Sequence, residues 1–332
     1  MADVAPFDIV LAALKAAGEP TRLRLLAILA EGELNVSDLT EILGQSQPRI
    51  SRHLKLLMEA GLVERIREGA WAFFRLTEGT LKADILGSIL QRLDRSDRYL
   101  ARDRSRLVEV RRARAAEAAD YFRKHAEDWD QIRALHAPDE AVEAALRETI
   151  GARPVQALLD LGTGTGRMLE LFAPLAVRAV GVDASAEMLS VARANLERAG
   201  VRNAMVRQGD LFALPVEPGA YDLVIIHQVL HYLDDGARAL REAARALRPG
   251  GRLVIVDFAP HELEFLREDF AHRRLGFSRE TIDHWLEAAK LQPQAYRVVE
   301  AGEGPTRLTV SIWVGCDPRV QSDVLPLGRE VA

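Results

Sequence analysis

Residues 155–167 read VQALLDLGTGTGR, and this stretch decides how the second half of the chain is understood. An apolar run ends at Asp160. Gly162, Gly164 and Gly166 follow, with Thr163 between the first two, and a helical pattern begins at once. Glycines in a strand-to-helix turn permit a tight bend and let a ligand approach the backbone. The helix start favours negative charge such as a carboxylate. The spacing is not a dinucleotide fingerprint, because Arg167 stands where the third glycine would be. The acid before the glycines is the sharper sign. Asp160 can hold a cationic amino group at the loop, which an amino-acid-bearing cofactor has and a pyrophosphate lacks.

Working outward, apolar runs alternate with helical segments from Pro154 onward, which argues for a sheet flanked by helices. RAVGVDAS ends in Asp183 and Ala184, and a carboxylate there can accept both ribose hydroxyls, about 20 residues after the first loop. RNAMVRQGDLFALP ends in Gly209-Asp210; Asp210 can accept from an adenine amino group, and Met188 and Leu211 can sandwich the ring. YDLVIIHQVLHYL ends at His227. LRPGGRLVIVDF gives a turn and a fifth strand, and AYRVVEAG with RLTVSIWVG forms a closing strand pair. Any one Asp at a strand end is also a good helix cap, but Asp160, Asp183 and Asp210 together are hard to explain that way. Ligands of open parallel sheets bind at this edge.

This set of strand-end residues resembles class I S-adenosylmethionine-dependent methyltransferases, most closely the small-molecule type related to quinone-ring methylases, over residues 117–316. The resemblance implies an α/β Rossmann-like domain with a doubly wound, mostly parallel sheet, and S-adenosyl-L-methionine or S-adenosyl-L-homocysteine as ligand. YFRKHAEDWDQIR resembles the lid of such enzymes. Tyr121 and Trp129 would then cover the cofactor, or equally would pack the preceding helix onto the domain. No D/N-P-P-Y/F follows the fourth strand and Cys316 is not preceded by Pro, so DNA bases are disfavoured as acceptors. A small molecule, or no substrate, remains. His227, His231, His261 and His272 are candidates for a general base, and His261 with Glu264 has a spacing that a helix could turn into a ligand pair. HELEFLREDFAHRRLGFS is either a substrate lid or a solvated helix.

The first 78 residues carry a different pattern. TRLRLLAILAEG places Leu23, Leu26, Ala27 and Ala30 on one helix face ending at Gly32. VSDLTEILG is a short helix with Ser37 as a plausible cap and Gly44 as its stop. In QSQPRISRHLKLLMEAGLV, Ser46 can cap the helix and Pro48 is tolerated in its first turn. Ile50, Leu54, Leu57 and Met58 make the buried stripe. The other face shows Gln47, Arg49, Ser51, Arg52 and Lys55, with His53 beside them. LVERIREGAWAFFRLT reads as a hairpin turning at Glu68-Gly69 and carrying Arg65, Arg67 and Arg75. Over residues 45–75 six basic residues face three acids, a local +3 on a chain of net charge −5. That is the footprint phosphate contacts require, and Gln and Arg near the helix start can reach base edges.

Glu19 to Thr77 resembles the ArsR-type winged helix-turn-helix family, which implies a homodimer on a two-fold related double-stranded DNA operator. Thiol-sensing members place cysteines where ELNVSDL stands here without one, so a metal or arsenic sensor is disfavoured.

Residues 79–116 read as a helical connector. Leu86, Leu93, Leu100 and Leu107 recur every seven residues, a coiled-coil seam weakened by Asp97 and Arg104. Nine arginines between Arg92 and Arg114 suggest a solvated face, with a DNA-flank contact as the minority alternative. The expected organisation is a DNA reader over 1–78, the connector over 79–116, the methyltransferase-like domain over 117–317 and a tail over 318–332. A single cysteine excludes a disulfide framework. The start MADVAPFDIV lacks a signal-peptide pattern, and no apolar run is long enough to span a bilayer, so a cytoplasmic setting is expected. Two functions fit: a dimeric repressor fused to a methyltransferase acting on a small molecule, or a non-catalytic sensor of S-adenosylmethionine or S-adenosylhomocysteine that gates operator binding, for example at methionine-cycle genes.

Overall fold

The computed structural model describes residues 6–68, 70–77, 80–126, 128–129, 139–300 and 308–319. The chain divides into two compact units, residues 1–118 and 119–332, with the division inside one helix.

The first unit is built from α1 (Phe7–Ala17), α2 (Pro20–Leu29), α3 (Val36–Leu43) and α4 (Gln47–Glu59), then a hairpin of β2 (Val63–Glu68) and β3 (Trp71–Leu76). The two-residue β1 (Leu34–Asn35) pairs with β3, giving the order β1-β3-β2. The hairpin register runs from Val63 opposite Leu76 to Glu68 opposite Trp71; Gly69 lies outside the described residues. The core gathers Leu25, Leu26, Leu39, Ile42, Ile50, Leu54 and Leu57. Two sequence expectations shift here. α2 buries Leu25, Leu26, Ile28 and Leu29 rather than a stripe through Leu23 and Ala30, because LRLLAILA is apolar on nearly every face and its period is ambiguous. The cap of α3 is Asn35, not Ser37. Asp38 N–H donates to Asn35 Oδ1 at 2.9 Å and Asn35 N–H to the Asp38 carboxylate at 3.3 Å, a reciprocal capping box.

The coiled-coil seam is not continuous. α5 (Leu81–Leu90) ends, turns follow, and α6 (Arg98–His125) starts afresh. Asp94 and Asp97 side chains accept from the N–H groups of Ser96 and Tyr99 and so break the helix between Leu93 and Leu100. Leu86 and Leu107 join the core of the first unit instead. Nor is the arginine-rich face solvated throughout. Arg24 of α2 grips Asp103 of α6 with two bonds, at 2.5 and 2.7 Å, and Asp103 is 0% exposed. Arg104 pairs with Glu31 at 3.2 Å, Arg106 donates to Ile42 O, Arg111 to Glu31 O, and Arg114 pairs with Asp38. These arginines dock α6 onto α2 and α3.

The second unit is a seven-stranded sheet in the order β6-β5-β4-β7-β8-β10-β9. Its strands are β4 (Val155–Leu161), β5 (Ala176–Asp183), β6 (Ala204–Gln208), β7 (Tyr221–His227), β8 (Leu247–Phe258), β9 (Gln292–Val299) and β10 (Val310–Cys316). The first five run parallel, and β10 inserts antiparallel between β8 and β9. β4 and β7 are almost wholly buried, which is why they read as continuous apolar runs: a parallel sheet covered on both faces needs them. Helices α7 (Asp139–Ile150), α8 (Arg167–Phe172), α9 (Ala186–Arg198), α10 (Gly236–Ala246), α11 (Phe265–Asp269) and α12 (Arg279–Ala288) complete it. Strand order reverses between β4 and β7, and the crevice outside their carboxyl ends is where such sheets hold ligands. Among the described residues no helix is long and apolar enough to cross a membrane.

Candidate functional site

In the first unit, α4 presents Gln47, Pro48, Arg49, Ser51, Arg52 and Lys55 to solvent while Ile50, Leu54 and Leu57 face the core. Ser46 occupies the cap position with extended backbone, without a side-chain capping bond among the described residues. Arg65 and Arg67 are exposed on β2. Two expected contact residues are engaged elsewhere. Arg75 is held by Glu64 and, at 3.4 Å, by Glu33. His53 turns toward Glu19 at 3.6 Å. Burial lowers the His53 pKa, helped by Arg22, Arg49 and Arg52 and opposed by Glu19, so the ring favours the neutral form, which adds no positive charge to the face.

In the second unit, the loop after β4 folds back on β5. Gly162 and Thr163 N–H groups both donate to Val182 O, at 2.8 and 3.0 Å. Gly162 has φ +70°, and a Cβ there would lie 2.4 Å from Val229, so side chains are excluded. Thr163 Oγ1 donates to the buried Asp160 carboxylate at 2.5 Å. Asp183 receives Gly164 N–H at 2.9 Å on one oxygen and Ser185 N–H at 2.9 Å on the other. Burial raises the Asp183 pKa, and the bonds from Ser185, Gly164 and Ala184 N–H only partly offset it. Gly164, φ +51°, faces the indole of Trp129, which would lie 3.7 Å from a Cβ there. Gly166 caps α8. Ala184 is exposed, Met188 is buried at the start of α9, and Leu211 is half-buried. The exposed Asp210 carboxylate accepts Phe212 N–H at 2.8 Å. The structure thus brings Asp160, Gly162, Thr163, Gly164, Asp183 and Trp129 into one assembly and places Asp210 and Leu211 just past the end of β6.

An aromatic layer continues from Trp129. Its ring meets Tyr121, Phe122 and Tyr232 with centroids 6.5, 5.2 and 6.2 Å apart, and Phe122 meets Tyr232 at 4.8 Å. Burial pushes the Tyr121 hydroxyl up to about 12, with Asp269 adding to it, and burial raises Tyr232 well beyond its usual range. Both phenols are neutral at physiological pH. His227 ends β7 in a buried setting. Next to it Gln228 has φ +53° and is 6% exposed, and its Nε2 has no hydrogen-bond partner among the described residues. His231 Nδ1 lies 2.7 Å from Asp257 Oδ1, the two residues being 1% and 0% exposed. Gln228 and Asp257 were not singled out from sequence; the signal for Asp257 was a lone acid in the apolar strand RLVIVDF. His261 Nδ1 accepts Leu263 N–H at 3.3 Å, and Glu264 pairs with Arg267 at 3.3 Å. The charged stretch 261–278 is not a solvated helix, since only Phe265–Asp269 is helical and Arg267 and Arg274 are inward.

Comparison with known proteins agrees with this division. Residues 19–65 match the family described as "Bacterial regulatory protein, arsR family", and residues 159–255 match "Methyltransferase domain". An uncharacterized methyltransferase of Bacillus subtilis is 34% identical over 116 residues, 35% of this chain and 46% of that protein. A demethylmenaquinone methyltransferase of Lactococcus lactis is 29% identical over 157 residues, 46% and 62% of the two chains. An arsenite methyltransferase of Aquipseudomonas alcaligenes is 39% identical over 124 residues, 34% and 36%. The chain therefore spans less than two thirds of each of these relatives. Among solved structures, the N-methyltransferase NodS from Bradyrhizobium japonicum, in complex with S-adenosyl-L-homocysteine, aligns with a TM-score of 0.51 at 18% identity, covering 61% of this chain and 99% of that one. The likeness shows the fold.

Proposed function

From a chain that carries an arsR-family helix-turn-helix and a methyltransferase-fold domain, we propose a DNA-binding transcription regulator, cytoplasmic and dimeric, whose second domain binds S-adenosylmethionine and methylates a small molecule. The observation that carries the cofactor assignment is the Gly162–Gly166 loop joined to Asp183 and overlain by Trp129 at the strand-order reversal. The residues present fit the ligand. Asp183 is a strand-end carboxylate able to accept ribose hydroxyls, Asp160 is an anion beside the loop for an amino group, Asp210 and Leu211 serve the adenine, and Gly164 leaves backbone room under the indole. When bound, S-adenosylmethionine supplies an electrophilic methyl on sulfur. The chain's part is to hold that methyl in line with an acceptor and keep water out, and the aromatic layer from Trp129 to Tyr232 serves the second task. Arsenite, the substrate in one relative's name, suits this chain poorly. Its only cysteine is Cys316, with a thiol whose pKa burial raises, and a soft thiophilic acceptor needs thiolates. The quinone ring implied by another relative's name suits an aromatic-lined site.

For the first unit, Gln47, Arg49, Ser51, Arg52 and Lys55 form the proposed major-groove face, and Arg65 and Arg67 the proposed wing contact to phosphate. Control of operator affinity by the cofactor is the second reading, favoured because α6 contributes residues to both units. The test is fluorescence anisotropy of DNA from the region upstream of the chain's own gene, with and without methyl-labelled S-adenosylmethionine, followed by analysis of where the label goes. Label in a small-molecule product supports the fused enzyme. A change in DNA affinity without transfer supports the sensor. A chain that binds neither the DNA nor the cofactor overturns the proposal.

A further inference from the structure

We propose that His231 and Asp257 form the base of the methyl acceptor site, and that the acceptor is a planar aromatic hydroxyl compound; this rests on the second unit's binding S-adenosylmethionine. The turn carrying His231 begins beside Val229, whose side chain closes over Gly162 of the cofactor loop. The same turn carries Tyr232, which shares an aromatic layer with Trp129, and Trp129 covers Gly164. One layer of rings therefore links the loop to the histidine. His231 is fixed at Nδ1 by Asp257 Oδ1, which also accepts Phe258 N–H at 2.8 Å. Among the described residues, His231 Nε2 and Asp257 Oδ2 are buried and have no hydrogen-bond partner. Leaving two such atoms unmet in the apolar interior is costly, and a histidine oriented by a buried carboxylate with its other nitrogen unused is the arrangement of a general base. Among the described residues, the side chains against His231 are Asp257 from β8, His272, Tyr232 and Phe258, and its carbonyl accepts the N–H groups of Arg273 and Arg274. Apart from Asp257 those side chains are rings packed on one another, an aromatic setting that suits a flat ligand.

The step balances as follows. The acceptor oxygen attacks the sulfonium methyl, the new O–C bond forms as the C–S bond breaks, and the C–S electron pair stays on sulfur as neutral thioether. The hydroxyl proton moves to His231 Nε2, and the resulting imidazolium is held by Asp257.

The test uses the full chain loaded with S-adenosylhomocysteine and the probe para-nitrophenol, whose phenolate absorbs visibly, at a pH below the phenol's own pKa. The expected result is a phenolate band on binding. The band is lost in His231→Asn, a variant that keeps a donor for Asp257 but has no basic nitrogen, and reduced in Asp257→Asn. With S-adenosylmethionine, transfer to the probe falls about 10²–10⁴-fold in His231→Asn, while its S-adenosylhomocysteine affinity stays near wild type, showing that the variant folds. Probe bound without a phenolate band, a band equal in wild type and His231→Asn, or a wild type that binds S-adenosylhomocysteine but not the probe each overturn the assignment. Failure of wild type to bind S-adenosylhomocysteine overturns the underlying cofactor reading instead. If His231→Asn does not fold, the Asp257→Asn band and the wild-type band decide the matter.

Discussion

Replacing Gly162 by alanine puts a methyl group where the chain has no room and turns a left-handed backbone against itself. The residue has φ +70°, and the new Cβ would stand 2.4 and 2.9 Å from the two methyls of Val229. The conformational part costs about 1–2 kcal/mol and the overpacking part about 1–3 kcal/mol, so the second unit should lose about 2–5 kcal/mol. Urea unfolding followed by tryptophan fluorescence reads this, because Trp129, Trp285 and Trp313 lie in that unit and only Trp71 lies in the other. Adding Val229→Ala removes both opposing methyls. The double variant should recover the packing part and retain a deficit of about 1–2 kcal/mol. Cofactor affinity should fall in the single variant, since Gly162 N–H and Thr163 N–H pin the loop to Val182 O. A loss within about 0.5 kcal/mol, or a double variant no better than the single, would refute the reasoning.

Three further outcomes are expected. Arg52→Ala should lower the slope of log DNA affinity against log salt by about one, whereas Arg75→Ala, whose guanidinium is already paired with Glu64 and Glu33, should leave the slope unchanged; anisotropy over a salt series checks both. Arg24→Ala removes both short hydrogen bonds to the fully buried Asp103 carboxylate and leaves it Arg102 at 3.6 Å, so it should destabilise the first unit by up to about 3–5 kcal/mol, while Arg24→Met with Asp103→Leu should cost much less; helix loss by circular dichroism measures it. S-adenosylmethionine affinity should be flat above the raised Asp183 pKa and fall as pH drops through it. The sign follows from the proposed role of Asp183: an ionised carboxylate would accept the ribose hydroxyls, and protonation would compete with them. Calorimetry over pH should show the decline in wild type and a weak, flat profile in Asp183→Asn.

The strand-end geometry was legible in the sequence for a physical reason. Buried parallel strands must be apolar throughout, so Asp160, Asp183 and His227 stand out as the first polar residues at their carboxyl ends. The two halves of the chain were legible in the same way, through the change from helical to strand periods near Pro154. What hid were facts that depend on which faces meet. The arginines of α6 look like a solvated stripe until α6 is seen lying on α2 and α3, where Glu31 and Asp38 meet Arg104 and Arg114, and Arg24 meets Asp103 of α6. The leucine heptad was real as spacing but spans two helices, because the Asp94 and Asp97 side chains compete for backbone N–H groups. Asn35 and Ser37 are both good caps two residues apart, and only the pairing of Asn35 with Phe73 fixes where the strand stops and the helix starts. Asp257, near the end of β8, meets His231 in the turn after β7, 26 residues earlier, so neither could be read as half of a dyad.

Calorimetric titration of S-adenosylmethionine and S-adenosylhomocysteine into the full chain, free and bound to DNA from its own upstream region, tests the central claim most directly. The account predicts saturable binding that is lost in Asp183→Ala, with the free and DNA-bound affinities differing about 5- to 150-fold if the cofactor gates the reader. No binding of either ligand by the wild-type chain would contradict it.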